Sequence, residues 1–130
     1  MDPSAASTRE RSGRLWTPPL PPNFGEALPT LDPSSVRLLW AAWCVPPRYR
    51  LAPHLWRQEA RLQSGIVLRA KLRRLEAIGL LTVRHVTGPG LVFDGQHWRR
   101  CAGDRNGPFL VLRLTGTGEA LLRRALVELA

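Results

Sequence analysis

The sequence predicts an α+β fold that is mainly helical, with three helices, then a β-hairpin, then a last helix. Two observations lead to this prediction. Apolar residues recur at helical spacing as far as Gly79, and beyond it they alternate as they do in strands. With 130 residues, 44% of them hydrophobic, the chain is long enough to bury one core. We therefore expect a single folded domain.

Residues 1–31 differ in composition from the rest of the chain. They contain a proline-rich run at 17–22, which disfavours a helix or a central strand. The segment also carries large apolar residues that a free linker would not need, namely Trp16, Leu20, Phe24, Leu28 and Leu31. We predict a partly disordered tail or strap over 1–31, with 1–14 as its mobile part, and the folded domain over 32–130.

The first two helices are marked by their starts. Asp32 and Pro33 predict the N-cap and first residue of helix one, which ends at the prolines 46 and 47. Its apolar face is expected to consist of Val36, Leu39, Trp40 and Trp43. The second helix starts near Pro53, and its end carries no stop signal. Its predicted core residues are Leu55, Trp56 and Leu62, with His54, Arg57 and Arg61 outside.

The third helix has signals at both ends. Ser64 is the expected N-cap, and Gly79 is the expected stop. Between them Leu68, Leu72 and Leu75 form a core stripe. The other side of the helix carries Ile66, Ala70, Arg73 and Arg74, with Arg69 and Lys71 on its flanks.

The remaining elements are three strands and a last helix. Alternating residues predict strands over 81–86, 91–101 and 109–114, separated by glycine-rich turns. The last helix is predicted over 116–130. One of its faces carries Leu122, Ala125, Leu126 and Leu129, and this face is the candidate surface for a homodimer.

The charge of the chain favours a polyanionic partner. There are 19 basic and 10 acidic residues, which gives a formal net charge of +9. All the basic residues except Lys71 are arginines, whose guanidinium groups suit phosphate oxygens and guanine edges. A GC-rich genome would produce the same arginine excess, so charge alone leaves compositional bias as an alternative.

No pattern indicates catalysis, a metal site or a cofactor. His97 and Cys101 lie four apart on a predicted strand, a separation of about 13 Å, which is too far for one metal ion. Cys44 is interpreted as a packed small hydrophobe, and Cys101 beside two arginines is either that or a redox-responsive thiol. We expect a non-enzymatic protein. The chain shows no apolar run long enough for a membrane span and no secretory signal, so a cytoplasmic protein without a membrane partner is expected.

The predicted order of elements is that of a winged helix-turn-helix domain, and two segments carry a closer resemblance. Residues 71–81 (KLRRLEAIGLL) resemble the end of the recognition helix in the multiple-antibiotic-resistance (MarR) repressors and the related phenolic-acid (PadR) type. Residues 109–118 (FLVLRLTGTG) resemble the strand, Leu-Thr turn and helix start that follow the wing there. Asp104 and Arg105 stand near the wing-tip Asp-Arg pair of that family, one residue further from the Leu-Thr turn.

The resemblance implies a small transcriptional regulator that binds double-stranded DNA and is associated with the nucleoid. The third helix would lie in the major groove, and the wing would reach the backbone or the minor groove. The implied DNA-binding residues are Ser64, Arg69, Lys71, Arg73, Arg74, Arg84, Arg99, Arg100 and Arg105.

Three departures from the family and one apolar surface leave an alternative open. The wing is about twice the usual length, the proline-rich tail replaces a dimerisation helix, and the chain stops one helix after the wing. The start of the third helix is apolar and offers no Asn or Gln to pair with adenine. A winged helix that docks onto a protein, as an adaptor or inhibitor of a larger complex, is therefore the second hypothesis.

Overall fold

A computed structural model gives the fold of residues 17–46, 50–86, 90–93, 97–101 and 109–129. It is α+β and mainly helical, as the sequence predicts. A 3-10 helix over Phe24–Ala27 comes first. The α-helices are α1 (Pro33–Cys44), α2 (Pro53–Ala60), α3 (Gly65–Ala77) and α4 (Gly116–Leu129). The strands are β1 (Arg50–Leu51), β2 (Leu81–Val86), β3 (Gly90–Phe93), β4 (Trp98–Cys101) and β5 (Phe109–Leu114).

Helix α1 is the centre of the core. The Asp32 carboxylate caps it by accepting from the Ser35 backbone N–H, and Pro33 is its first residue, as predicted. All four residues of the predicted apolar face pack on the core: Val36 and Leu39 are buried, and the tryptophans at 40 and 43 are partly buried against it. The fully covered side is wider, since the helix packs against α2, α3, α4 and β5; its buried apolar residues are Val36, Leu38, Leu39, Ala41 and Ala42.

Helix α2 and the turn after it connect α1 to α3. Leu55 and Trp56 are buried as predicted, and the Trp56 indole N–H donates to the Leu110 carbonyl at 3.0 Å. The helix ends at Arg61, which adopts the left-handed backbone conformation with φ 58°. A non-glycine residue seldom takes this conformation, so the sequence carries no recognisable stop signal there.

The strands form one sheet in the order β2-β5-β1-β3-β4. The antiparallel pair of β2 and β5 runs from Leu81 opposite Leu114 to Val86 opposite Phe109, and both strands have their predicted bounds. The strand predicted over 91–101 is wrong, because β3 and β4 instead form an antiparallel hairpin with Phe93 opposite Trp98. The short strand β1, which the sequence did not predict, lies between β5 and β3 and is parallel to β3.

The proline-rich segment packs on the domain from residue 17 onward. Phe24 and Leu28 are buried in the core, and Leu20 and Leu31 pack against it. The Trp40 indole N–H donates to the Pro18 carbonyl at 2.9 Å, and the Thr17 hydroxyl donates to the Glu59 carboxylate. These apolar residues of the segment therefore lie on the folded part of the chain. Trp16 and the expected mobile part over 1–14 lie outside the described residues.

Helix α4 packs against the 3-10 helix, α1 and β5, and this placement changes the interpretation of its apolar face. Leu122 is 0% exposed and Ala125 is 1% exposed, while Leu126 and Leu129 pack against the same core. The candidate homodimer surface is therefore used within the chain, and that expectation is corrected. Among the described helices, none has the length and apolar character needed to span a membrane.

Candidate nucleic-acid interface

Helix α3 is fixed at both ends by local hydrogen bonds. At its start the Ser64 hydroxyl accepts from the Val67 backbone N–H at 3.2 Å, so Ser64 is the N-cap as predicted. At its end Gly79 has φ 82°, and its backbone N–H donates to the Glu76 carbonyl. The Leu80 backbone N–H donates to the Leu75 carbonyl. These two bonds form a Schellman motif, closed by the buried side chains of Leu75 and Leu80.

The helix has one buried side and a broad exposed side. Leu68, Leu72 and Leu75 face the core, as the sequence predicts. At 3.6 residues per turn, the exposed residues Ile66, Ala70, Arg73 and Ala77 follow one another along the middle of the opposite side. We call these four residues the α3 stripe. Arg69 and Arg74 are exposed on its two flanks, so the stripe is bordered by positive charge.

Lys71 has a partner within the chain. Its ammonium group lies 2.5 Å from the Asp32 carboxylate, and this ion pair links α3 to the N-cap of α1. Burial alone would raise the pKa of Asp32, but hydrogen bonds from Lys71 and Ser35, with the charge of Lys71, lower it to about 2. Lys71 therefore positions α3, and its ammonium group is already engaged by a carboxylate.

The sheet contributes one further described arginine of the predicted set. Arg84 is exposed on β2, the strand that directly follows α3. Glu76 of α3 accepts a hydrogen bond from the Val83 backbone N–H at 3.0 Å, which ties the helix to that strand. Arg99 and Arg100 lie on β4, whose backbone alone is described, and Arg105 lies outside the described residues.

The start of α4 contacts the end of α3 through main-chain and hydroxyl groups. The Thr115 N–H donates to the Leu80 carbonyl, its hydroxyl donates to the Gly79 carbonyl at 2.5 Å, and the same hydroxyl accepts from the Gly118 N–H. Gly118 lies so close that an added Cβ would stand 2.0 Å from the Leu80 oxygen. The Leu-Thr turn and its glycine thus hold the end of α3 in place.

Two arginines near the turn between α2 and α3 were not among the sequence candidates. Arg37 of α1 has a lowered pKa, caused by burial and then by the positive charge of Arg61. The two guanidinium groups are therefore close enough to repel each other. Arg37 and Arg61 are 24 positions apart in the chain, so no local sequence pattern could have shown that Arg61 affects the pKa of Arg37.

The described cysteine side chain does not belong to a reactive site. Cys44 is a free, partly buried thiol at the end of α1. Burial and then the negative charge of Glu59 raise its pKa to about 12, so little thiolate exists at neutral pH. Cys101 lies on β4, where side chains are not described, and its redox role stays a prediction. Within the described part of the chain, no three His, Cys, Asp or Glu residues form a metal-binding group.

Comparisons of the chain with protein-family models, with curated proteins and with solved structures found no match. A functional proposal therefore rests on the charges, burial and contacts of the residues themselves.

Proposed function

We propose that this protein binds double-stranded DNA as a winged helix-turn-helix domain and acts as a small transcriptional regulator. The observation that carries the proposal is the exposed side of α3, where Arg73 lies within the α3 stripe and Arg69 and Arg74 border it. Helix-turn-helix proteins place such a side in the major groove. Arginine is suited to that position because its guanidinium group can bind phosphates and guanine edges.

The arrangement around α3 supports the same proposal. Helix α2, a tight turn and α3 follow one another, and the antiparallel strands β2 and β5 come after α3 as the strands of a wing would. The resemblance of residues 71–81 and 109–118 to the MarR and PadR repressors adds to it. On DNA, Arg69 and Arg74 would bind phosphates on either side of the groove, and Arg84 would do so from β2.

The proposal is tested by fluorescence anisotropy with a labelled duplex across a salt series. Because each neutralised phosphate releases counterions, we expect log affinity to fall against log salt with a slope of about −4 or steeper. Replacing both Arg73 and Arg74 by Ala should reduce the steepness of that slope by about 1, because Arg74 contacts a phosphate, and should weaken binding at every salt concentration. Both side chains are exposed, so the fold should not change.

The matched control is Arg124→Ala. Arg124 is an exposed arginine on α4, which packs on the 3-10 helix, α1 and β5. The Arg124→Ala variant should have an affinity and a salt slope close to those of the wild type. A loss of log affinity in the control that is about half of the loss in the double variant would mean that net charge, and not α3, binds the DNA, because the control removes one charge and the double variant removes two. Unchanged affinity in the double variant would remove α3 from the interface.

One observation favours a second candidate function, a docking surface for another protein. Ile66 is 71% exposed and Val67 is 40% exposed at the start of α3, and apolar side chains of this size more often pack against protein. If the wild type binds no duplex even at low salt, this alternative replaces the first. The positive border of the α3 stripe would then select an acidic partner surface.

A further inference from the structure

The α3 stripe combines two kinds of side chain that read different base edges. Ile66 is exposed in the first turn of the helix, where recognition helices contact bases, and it offers only methyl and methylene groups. Ala70 and Ala77 are too small to keep the helix away from a groove floor. Arg73 lies between them as the one long polar side chain of the stripe.

Resting on the DNA-binding function proposed above, we infer that the α3 stripe reads a thymine methyl through Ile66 and a guanine through Arg73. The major groove presents the C5-methyl of thymine as its apolar feature and the O6 and N7 acceptors of guanine as the partners of arginine. Because residues 65–77 contain no Asn, Gln, Asp or Glu except Glu76, the helix offers little to pair with adenine or cytosine.

The spacing of the two residues sets the spacing of the two bases. Ile66 and Arg73 are seven positions apart, which corresponds to about 10 Å along the helix axis. Base pairs are stacked about 3.4 Å apart along the DNA axis, and a helix in the major groove lies at an angle to that axis, so the thymine and the guanine should be separated by no more than about three base-pair steps. The flanking arginines add phosphate contacts that fix the helix in this register.

Contacts at both ends and in the middle of α3 fix its position in the domain. Ser64 and the Schellman motif fix its two ends, and the Lys71–Asp32 ion pair ties its middle to α1. Since Ile66 is exposed, its replacement changes the contact surface without disturbing the core. A change in base preference can therefore be separated from a change in folding.

The test selects preferred sites from a randomised duplex pool and then compares each selected duplex with a copy containing deoxyuridine for thymidine. Uracil lacks only the 5-methyl group, so the wild type should lose affinity about fourfold, the value for one buried methyl-sized group. Ile66→Ala should bind the two duplexes equally. Replacing the selected guanine by 7-deazaguanine should weaken wild-type binding at least about fivefold and should not affect Arg73→Ala.

Val127→Ala is the matched control, because Val127 is also 71% exposed but lies on α4. It should keep the full preference for thymidine over deoxyuridine. If the wild type binds duplexes tightly but selects no site, or binds both copies equally, the reading of bases by the stripe is wrong while DNA binding stands. If the wild type binds no duplex at low salt, both the proposed DNA binding and the reading of bases by the α3 stripe are wrong.

Discussion

Gly118 shows how a single residue can fix the relation between two helices. It lies in the first turn of α4, buried against the main chain at the end of α3. Its N–H donates to the Thr115 hydroxyl, which in turn donates to the Gly79 carbonyl. The Leu80 carbonyl leaves no room for a side chain at 118, so glycine is needed there for close approach and not for an unusual backbone angle.

Gly118→Ala should therefore strongly destabilise the fold. The added Cβ would stand 2.0 Å from the Leu80 oxygen, so the backbones must move apart. We expect a loss of about 3 kcal/mol in the free energy of unfolding, and a drop in Tm of more than about 10 °C in calorimetry. Gly116→Ala is the control, because a Cβ there meets no atom within 4 Å. Equal Tm values for the two variants would contradict this packing.

At the scale of elements, the ion pair between Asp32 and Lys71 joins α1 to the proposed recognition helix. Asp32 serves both helices, since it caps α1 through Ser35 and accepts from Lys71 of α3. The buried side of α3 is apolar, with Leu68, Leu72 and Leu75 in the core. Hydrophobic burial is non-directional and does not by itself fix the orientation of α3 relative to α1. The Asp32–Lys71 pair does favour one orientation, because a charge-assisted hydrogen bond has a defined geometry.

The pair should make stability depend on pH in the acid range. The pKa of Asp32 is lowered from its ordinary 3.8 to about 2, so the carboxylate stabilises the fold above about pH 4. That contribution is lost as the pH falls through about 2. Because the groups are partly exposed, we expect it to be about 1 kcal/mol.

Asp32→Asn isolates this effect, because asparagine is also a good N-cap and only the charge is lost. Chemical denaturation at several pH values should show the wild type more stable than the variant above about pH 4 and equally stable near pH 2. Lys71→Met should remove the part of this pH dependence that comes from Lys71 and leave the part that comes from the hydrogen bonds of Ser35. A constant difference between wild type and Asp32→Asn at all pH values would mean that the ion pair does not form.

At the scale of the whole molecule, the proline-rich strap belongs to the core. Phe24 is 1% exposed and meets the Trp40 ring edge-to-face at 5.4 Å between centroids. The 3-10 helix that carries it packs on α4, the last helix of the chain. The strap therefore connects elements from both ends of the folded part, which helical periodicity alone would not have shown.

Phe24→Ala should cost about 3–5 kcal/mol of stability, because it removes a buried ring and leaves a cavity. Phe24→Leu should lose less free energy of unfolding than Phe24→Ala. The leucine variant can therefore still be measured if the alanine variant does not fold. Ile78→Ala is the control, since Ile78 is 51% exposed and should change stability by no more than about 0.5 kcal/mol. Denaturant unfolding gives all three values. A loss below about 1 kcal/mol in Phe24→Ala would mean that the strap unfolds independently of the core.

Several features could be predicted from the sequence because they depend on neighbouring residues. N-caps, helix stops and alternation act within a few positions, so Asp32, Ser64 and Gly79 marked helix ends correctly. The core stripe of α3 and the bounds of β2 and β5 followed from periodicity in the same way. The candidate arginines on α3 were predicted to be exposed for this reason, and the structure places them so.

Local patterns were enough to predict the four helices, the strands β2 and β5, the mainly helical class and the exposed basic side of α3. They were not enough to predict that Lys71 pairs with Asp32, that Leu122 belongs to the core, or that β3 and β4 form a hairpin. These features depend on contacts between residues far apart in the chain or on which elements pack together. Periodicity shows that a helix or strand has an apolar or charged face, but the tertiary fold determines which other residues that face contacts.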